Sequence, residues 1–209
     1  MVFVTVALVL LIRFLQSNPN DSEAWLTVPF VLLSAAIVPI LVRKKSLCDL
    51  GLNLERLVLS LRVLCRICLV VLPVFLCGIF LLKYYEIPLP MCPIVPEGRW
   101  LSWLVYQFMY IAVAEEVFFR GYLQSNINYL LTLTIQKNDA FLAMTSVIIS
   151  AGIFAVFHCV LLGNILAIIT FIPGVVFGWL FFKTKSILAP IIFHGLANVS
   201  YGLIGTMLT

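Results

Sequence analysis

The stretch Ala114-Glu115-Glu116-Val117-Phe118-Phe119-Arg120 sets two carboxylates and a guanidinium inside an apolar run. A charged side chain within a membrane helix costs several kcal/mol unless it is paired, neutralised or facing water, so such residues point to function. Glu116 and Arg120 stand at i and i+4 on one helical face, a spacing that permits an ion pair. Glu115 is turned about 100° from Glu116 and has no obvious local partner, which leaves it free to act on something else. The plain alternative is that both glutamates mark a helix end among the headgroups.

The two histidines of the protein also lie in late apolar segments, His158 after Phe154-Ala155-Val156-Phe157 and His194 within Phe193-His194-Gly195-Leu196-Ala197-Asn198. A lone intramembrane histidine often does no more than bond across helices. Here His194 and Asn198 are i and i+4, so one helix face presents an imidazole and an amide together. With Glu115 these groups could hold and deprotonate a water, with His158 and Asn198 placed to stabilise the oxyanion of a tetrahedral intermediate. Glu115, His158 and His194 are at the same time a conceivable zinc set. The chain lacks H-E-x-x-H, Asn198 is a poor zinc ligand, and a base acting directly on water requires no metal. A metal-free glutamate mechanism with no cofactor is therefore the favoured expectation, with zinc as the alternative.

These side chains must be positioned by helices in lipid. The chain has 209 residues, of which 63% are hydrophobic and 11% charged, with a mean hydropathy of +1.16. Soluble domains are roughly half apolar and about a quarter charged. Lipid-exposed backbone must satisfy its own hydrogen bonds, so the expected class is all-α, a polytopic transmembrane bundle of about seven helices enclosing a polar catalytic cavity. Seven apolar segments are expected at Val2 to Leu15, Trp25 to Val42, Leu57 to Leu82, Trp100 to Tyr122, Phe141 to Leu162, Ile165 to Phe182 and Ile187 to Leu208. The first falls short of the roughly 20 residues that a span needs. At about 1.5 Å per residue, these boundaries put Glu115 and His194 near one depth and His158 near the opposite face. The repair expected is that the polar stretch from Leu123 to Ser146 hugs or re-enters the cytoplasmic side, with the fifth span starting nearer Val147.

The net charge of +4 is spread over loops and helix ends without a dense basic patch, so nucleic acid is not an expected partner. Arg43-Lys44-Lys45 makes the second loop cytoplasmic by the positive-inside rule. Alternation then puts Arg120, Lys137, Lys183 and Lys185 inside as well, and leaves Asp21, Glu23 and the Pro-rich loop from Lys83 to Arg99 outside. The expected topology is multi-pass, N-terminus cytoplasmic and C-terminus external, in a bacterial inner membrane. The apolar start lacks a basic n-region and a nearby small-residue cleavage site, which argues against a removable signal peptide. Cys48, Cys65, Cys68, Cys77, Cys92 and Cys159 lie mostly in apolar runs and suggest no disulfide framework, and the Cys65/Cys68 pair has no second pair to complete a zinc site. Gly174 and Gly178 form a G-x-x-x-G, read as close packing of the sixth helix against those bearing the polar groups.

Taken in order, these motifs resemble the CaaX proteases and bacteriocin-processing enzymes, the group that includes the Ras-converting CaaX endopeptidase and many bacterial Abi-type proteins. Glu115-Glu116 with Arg120 is similar to the first motif, Phe154 with His158 to the second, and His194 with Asn198 to the last. Phe171, Gly174 and Gly178, then Thr184 and Ser186, look like the glycine-bearing helix and turn before the last histidine. The resemblance implies a catalytic core over residues 100–209, preceded at 1–99 by N-terminal transmembrane helices and the Pro-rich loop. It also implies that Glu115 is the general base with His158 as its partner, that His194 and Asn198 bind the oxyanion or orient the nucleophile, and that Glu116 and Arg120 are structural support. The implied activity is intramembrane endopeptidase cleavage near the C-terminus of a membrane-anchored protein or peptide. Lys185 departs from the pattern, where many relatives carry glycine after the threonine, and is expected to alter the turn without touching catalysis. The reading from another class is a non-enzymatic immunity or scaffold protein, or a proton-coupled transporter relaying through Glu115, His158 and His194. No inverted repeat is evident to support a transporter.

Overall fold

A computed structural model describes residues 24–42, 44, 46–87 and 98–207. The expected segment Val2 to Leu15 and the four prolines of the Pro-rich loop lie outside the described residues. Among those described, the chain is helical and contains no strand. Six helices follow one another: α1 at Ala24–Val42, α2 at Leu57–Tyr84, a continuous rod α3 over 100–134, α4 at Asp139–Leu162, α5 at Phe171–Thr184 and α6 at Leu188–Met207. Three stretches, Leu57–Tyr84, Asp139–Leu162 and Ile165–Thr184, are long and apolar enough to cross a membrane.

Helix α1 buries Val28, Leu32, Ala36 and Ile40, four residues spaced by one turn, as a stripe against the middle of α3. Helix α2 buries only Ser60, Leu64 and Ile79 and turns most of its apolar surface outward, as suits a helix whose solvent is hydrocarbon. The core between α3, α4, α5 and α6 is aromatic. Phe119 meets Phe154 edge to face with ring centroids 5.0 Å apart, and Phe177 meets Phe193 at 5.9 Å.

The rod α3 is where sequence and structure part. It does not stop near Tyr122 but continues through Ser125–Thr134, turns at 135–138, and returns as α4 from Asp139, with the Asn138 side chain capping the amide of Phe141 at 2.7 Å. Glu115 thus stands nineteen residues before the end of one arm and His158 nineteen after the start of the other, which brings them level. The depth mismatch came from ending α3 too early, and the expected later start of the fifth span near Val147 is wrong. A cross-link from Ser150 Oγ to the Phe119 carbonyl, 2.8 Å, fixes the register of the two arms. The rod is also not uniform, since Tyr106–Ala112 and Val117–Gln124 are π-helical, on either side of an α-turn at Val113–Glu116 that carries both glutamates.

Helix α5 runs parallel to α3 and meets it through two carbonyls. Arg120 Nη2 donates to the Gly174 carbonyl at 3.1 Å, and Gln124 Nε2 to that of Gly178 at the same distance. A Cβ on Gly178 would stand 2.8 Å from Gln124 Oε1 and 3.1 Å from Val147, so the small residues permit this approach and the packing reading of the G-x-x-x-G holds. Lys185 ends α5 in the left-handed region at φ 54°, the place where glycine is the unstrained choice. Thr184 Oγ1 and the Ser186 amide bond across that turn, and the Ile187 amide reaches the Gly51 carbonyl at 3.0 Å. The connection after α1, the α3–α4 turn and the α5–α6 turn therefore share one end of the bundle, with Lys44, Lys137, Lys183 and Lys185. Arg120 does not belong to that end charge, because it is wholly buried. Cys48, Cys65, Cys68, Cys77 and Cys159 are free thiols, and Cys92 lies outside the described residues.

Candidate active site

Four helical segments converge on the glutamate pair. Glu116 is fully buried and its Oε1 is the hub: Arg120 Nη1 donates to it from one turn along α3 at 3.0 Å, and His194 Nδ1 from α6 at 2.7 Å. The expected i, i+4 ion pair is present, and the second bond, to a histidine 78 positions away, is one that local spacing did not disclose. The Arg120 guanidinium is further enclosed by aromatic faces, its carbon lying 4.4 Å from the Phe154 ring centroid and 5.1 Å from that of Phe177. The buried charge is thus neutralised by a partner, bonded to a carbonyl and sandwiched by rings, while its Nε is left without a hydrogen-bond partner.

Glu115 is arranged differently. It is 4% exposed, and its Oε2, like Oε2 of Glu116, has no hydrogen-bond partner in the protein. That oxygen faces His158 Nε2 and His194 Nε2, each at 3.7 Å. Both rings are oriented from behind. His158 Nδ1 lies 3.0 Å from the Phe154 carbonyl, which can only accept, so Nδ1 carries the proton. His194 Nδ1 likewise donates to the Glu116 carboxylate. In the neutral rings both Nε2 atoms therefore present bare lone pairs toward Glu115. The ring of His194 also stacks on Phe177 with centroids 4.7 Å apart and planes 13° from parallel, which fixes its tilt.

Glu115, Glu116, Arg120, His158 and His194 are thus brought together from α3, α4 and α6. Asn198 sits one turn beyond His194 and is held elsewhere, its Nδ2 donating to Gln107 Oε1 at 3.1 Å. Gln107 is a polar residue that the motifs did not single out. Beside this pair, Gly195 lets α6 close on α3, since a Cβ there would overlap the Phe108 ring.

The donor set also bears on zinc. Among the described residues no group of three or more His, Cys, Asp and Glu is arranged to hold a metal ion. The Glu115, His158 and His194 set does not meet that geometry.

Residues 97–200 match the family described as type II CAAX prenyl endopeptidase, Rce1-like. No curated protein and no solved structure gives a significant match. The matched stretch holds all seven residues of the three motifs, and its apolar helices are those of a membrane protein. Through residues 97–200 the chain belongs to the Rce1-like type II CAAX prenyl endopeptidase family.

Proposed function

We propose that this protein is an intramembrane endopeptidase that hydrolyses a peptide bond near the C-terminus of a membrane-anchored protein or peptide, with residues 100–209 as its catalytic core. The observation that carries this reading is the Glu115 carboxylate oxygen, buried without a protein partner and faced at 3.7 Å by two imidazole nitrogens whose lone pairs are bare. Polar atoms at that separation are too far apart to bond directly and suit sharing one water. A water donating one proton to Glu115 Oε2 and the other to an imidazole Nε2 turns its own lone pair outward, toward a carbonyl carbon.

Glu115 takes the water proton as the oxygen bonds to the carbonyl carbon, and the carbonyl electrons collect on its oxygen. Neutral His158 and His194 accept rather than donate at Nε2, so they orient the nucleophile. The oxyanion donor is Asn198, whose amide has a second N–H. Collapse of the intermediate breaks the C–N bond, and protonated Glu115 returns its proton to the leaving nitrogen. Glu116 and Arg120 hold His194 in place and form no bond to substrate. The mechanism uses no cofactor.

The charge at the two ends supports a multi-pass orientation. The end carrying Lys44, Lys137, Lys183 and Lys185 is cytoplasmic by the positive-inside rule, which makes the C-terminus external. A bacterial inner membrane is the proposed location, and the partners are lipid and the anchored substrate. A prenylated tail is the substrate that the family description favours.

The test is cleavage of a library of membrane-anchored peptides, prenylated and not, by purified protein in liposomes. Wild type is compared with Glu115→Ala, each with and without a zinc chelator. Cleavage that is lost in Glu115→Ala and indifferent to chelator supports the glutamate mechanism. Cleavage abolished by chelator and restored by zinc overturns it, and a wild type that cuts nothing overturns the peptidase reading.

A further inference from the structure

Gln107 is used by none of the motifs, yet it is the polar side chain that engages Asn198. Its Oε1 accepts from Asn198 Nδ2 at 3.1 Å across 91 positions of sequence. Gln107 lies eight residues before Glu115, which in an uninterrupted α-helix would turn it about 80° away. Residues 106–112 are π-helical, and a π-helix advances only about 85° per residue, so Gln107 comes round to nearly the Glu115 face. The close approach of Phe108 to Gly195 then presses that face against α6, one turn short of Asn198.

An asparagine amide has two ends of nearly equal shape and opposite character. If it turns over, it offers an acceptor oxygen where a donor is needed, and an acceptor facing a developing oxyanion is repulsive. With its Oε1 turned to Asn198, as here, Gln107 bonds the nitrogen end of that amide and stabilises this orientation over the one that would set oxygen against oxygen. It leaves one Nδ2–H of Asn198 uncommitted.

We infer that Gln107 is a positioning residue that fixes the sense of the Asn198 amide, so that a nitrogen-bound proton meets the scissile carbonyl oxygen. This inference rests on the peptidase reading. It predicts a loss carried by kcat, because the contact matters once charge has developed, and a loss that vanishes when Asn198 is absent.

The experiment measures kcat and KM on the best peptide of the library for wild type, Gln107→Met, Gln107→Glu, Asn198→Ala and the double variant Gln107→Met/Asn198→Ala. Removing an oxyanion donor costs about a hundredfold or more, and removing what orients it should cost less, about tenfold in kcat with KM within about twofold. Gln107→Glu keeps an acceptor at the same reach and should recover most of the loss, which separates the role from a folding defect. In the Asn198→Ala background Gln107→Met should cost nothing further. Equal losses in both backgrounds, or an unchanged kcat in Gln107→Met, overturn the inference while leaving the peptidase reading intact. A wild type that cleaves no peptide overturns both.

Discussion

Arg120 offers the sharpest quantitative test, because its surroundings are fully defined. Its side chain and that of Glu116 are each 0% exposed, they meet at 3.0 Å, and the second guanidinium nitrogen holds the Gly174 carbonyl at 3.1 Å. Arg120→Met keeps much of the volume between Phe154 and Phe177 but strands the Glu116 carboxylate, and removing one partner of a buried ion pair costs about 3–5 kcal/mol. Glu116→Met strands the guanidinium instead and should cost a similar amount. The double variant has no stranded charge, and replacing both members of such a pair by apolar groups is often close to neutral. It should therefore be more stable than the sum of the single losses predicts, by at least about 2 kcal/mol, although the His194 Nδ1–H loses its acceptor, worth about 1 kcal/mol. Unfolding free energies of the four proteins in bicelles, measured by denaturant titration, give the coupling directly. Losses that add to within about 0.5 kcal/mol would refute the view of Glu116 and Arg120 as one buried unit.

Glu115→Gln preserves shape and removes the proposed base, so kcat on a cleaved peptide should fall by about a hundredfold to ten-thousandfold while the melting temperature holds or rises. Single-turnover cleavage alongside a thermal melt reads both, and a loss in both together would argue for a structural role. Gly195→Ala forces α6 away from Phe108 and should lower stability by about 1–3 kcal/mol, with kcat falling as His194 and Asn198 shift; unchanged activity would show that the close approach is dispensable. Lys185→Gly relieves a left-handed residue and should stabilise the protein by about 1 kcal/mol at unchanged kcat, checked by the same denaturant titration.

The buried polar grouping was legible in the sequence because its members are costly in lipid. Glu115, Glu116, Arg120, His158 and His194 each stand out against an apolar background, and the structure brings them together. Local spacing could show the Glu116–Arg120 pair, since four residues make one α-helical turn. It could not show that His194 completes the pair, since that bond depends on how α6 packs. The full length of α3 is not legible because the stretch from Leu123 onward is polar, whereas within it Asn126 Nδ2 bonds the Tyr122 carbonyl and the helix continues. Gln107 escaped for a related reason. Periodicity arguments assume about 100° per residue, and a π-helical stretch leaves no mark in composition by which that assumption could be dropped.

The π-helical geometry around the glutamates changes how this helix should respond to lost residues. In an ordinary membrane helix, deleting one residue rotates everything on one side of the cut by about 100° relative to the other and scrambles the faces. Seven π-helical residues turn through about 600°, as do six α-helical ones, and their lengths differ by only about an ångström. The stretch Tyr106–Ala112 therefore holds one residue in surplus. Shortening it at Met109, which is 70% exposed, would return it to an ordinary α-helix with both ends in their original rotational register. What such a deletion would alter is the facing of the side chains within the stretch. Tolerance to single-residue deletion should thus be found in Tyr106–Ala112, close to the glutamates, whereas loop tips are where natural chains usually show it.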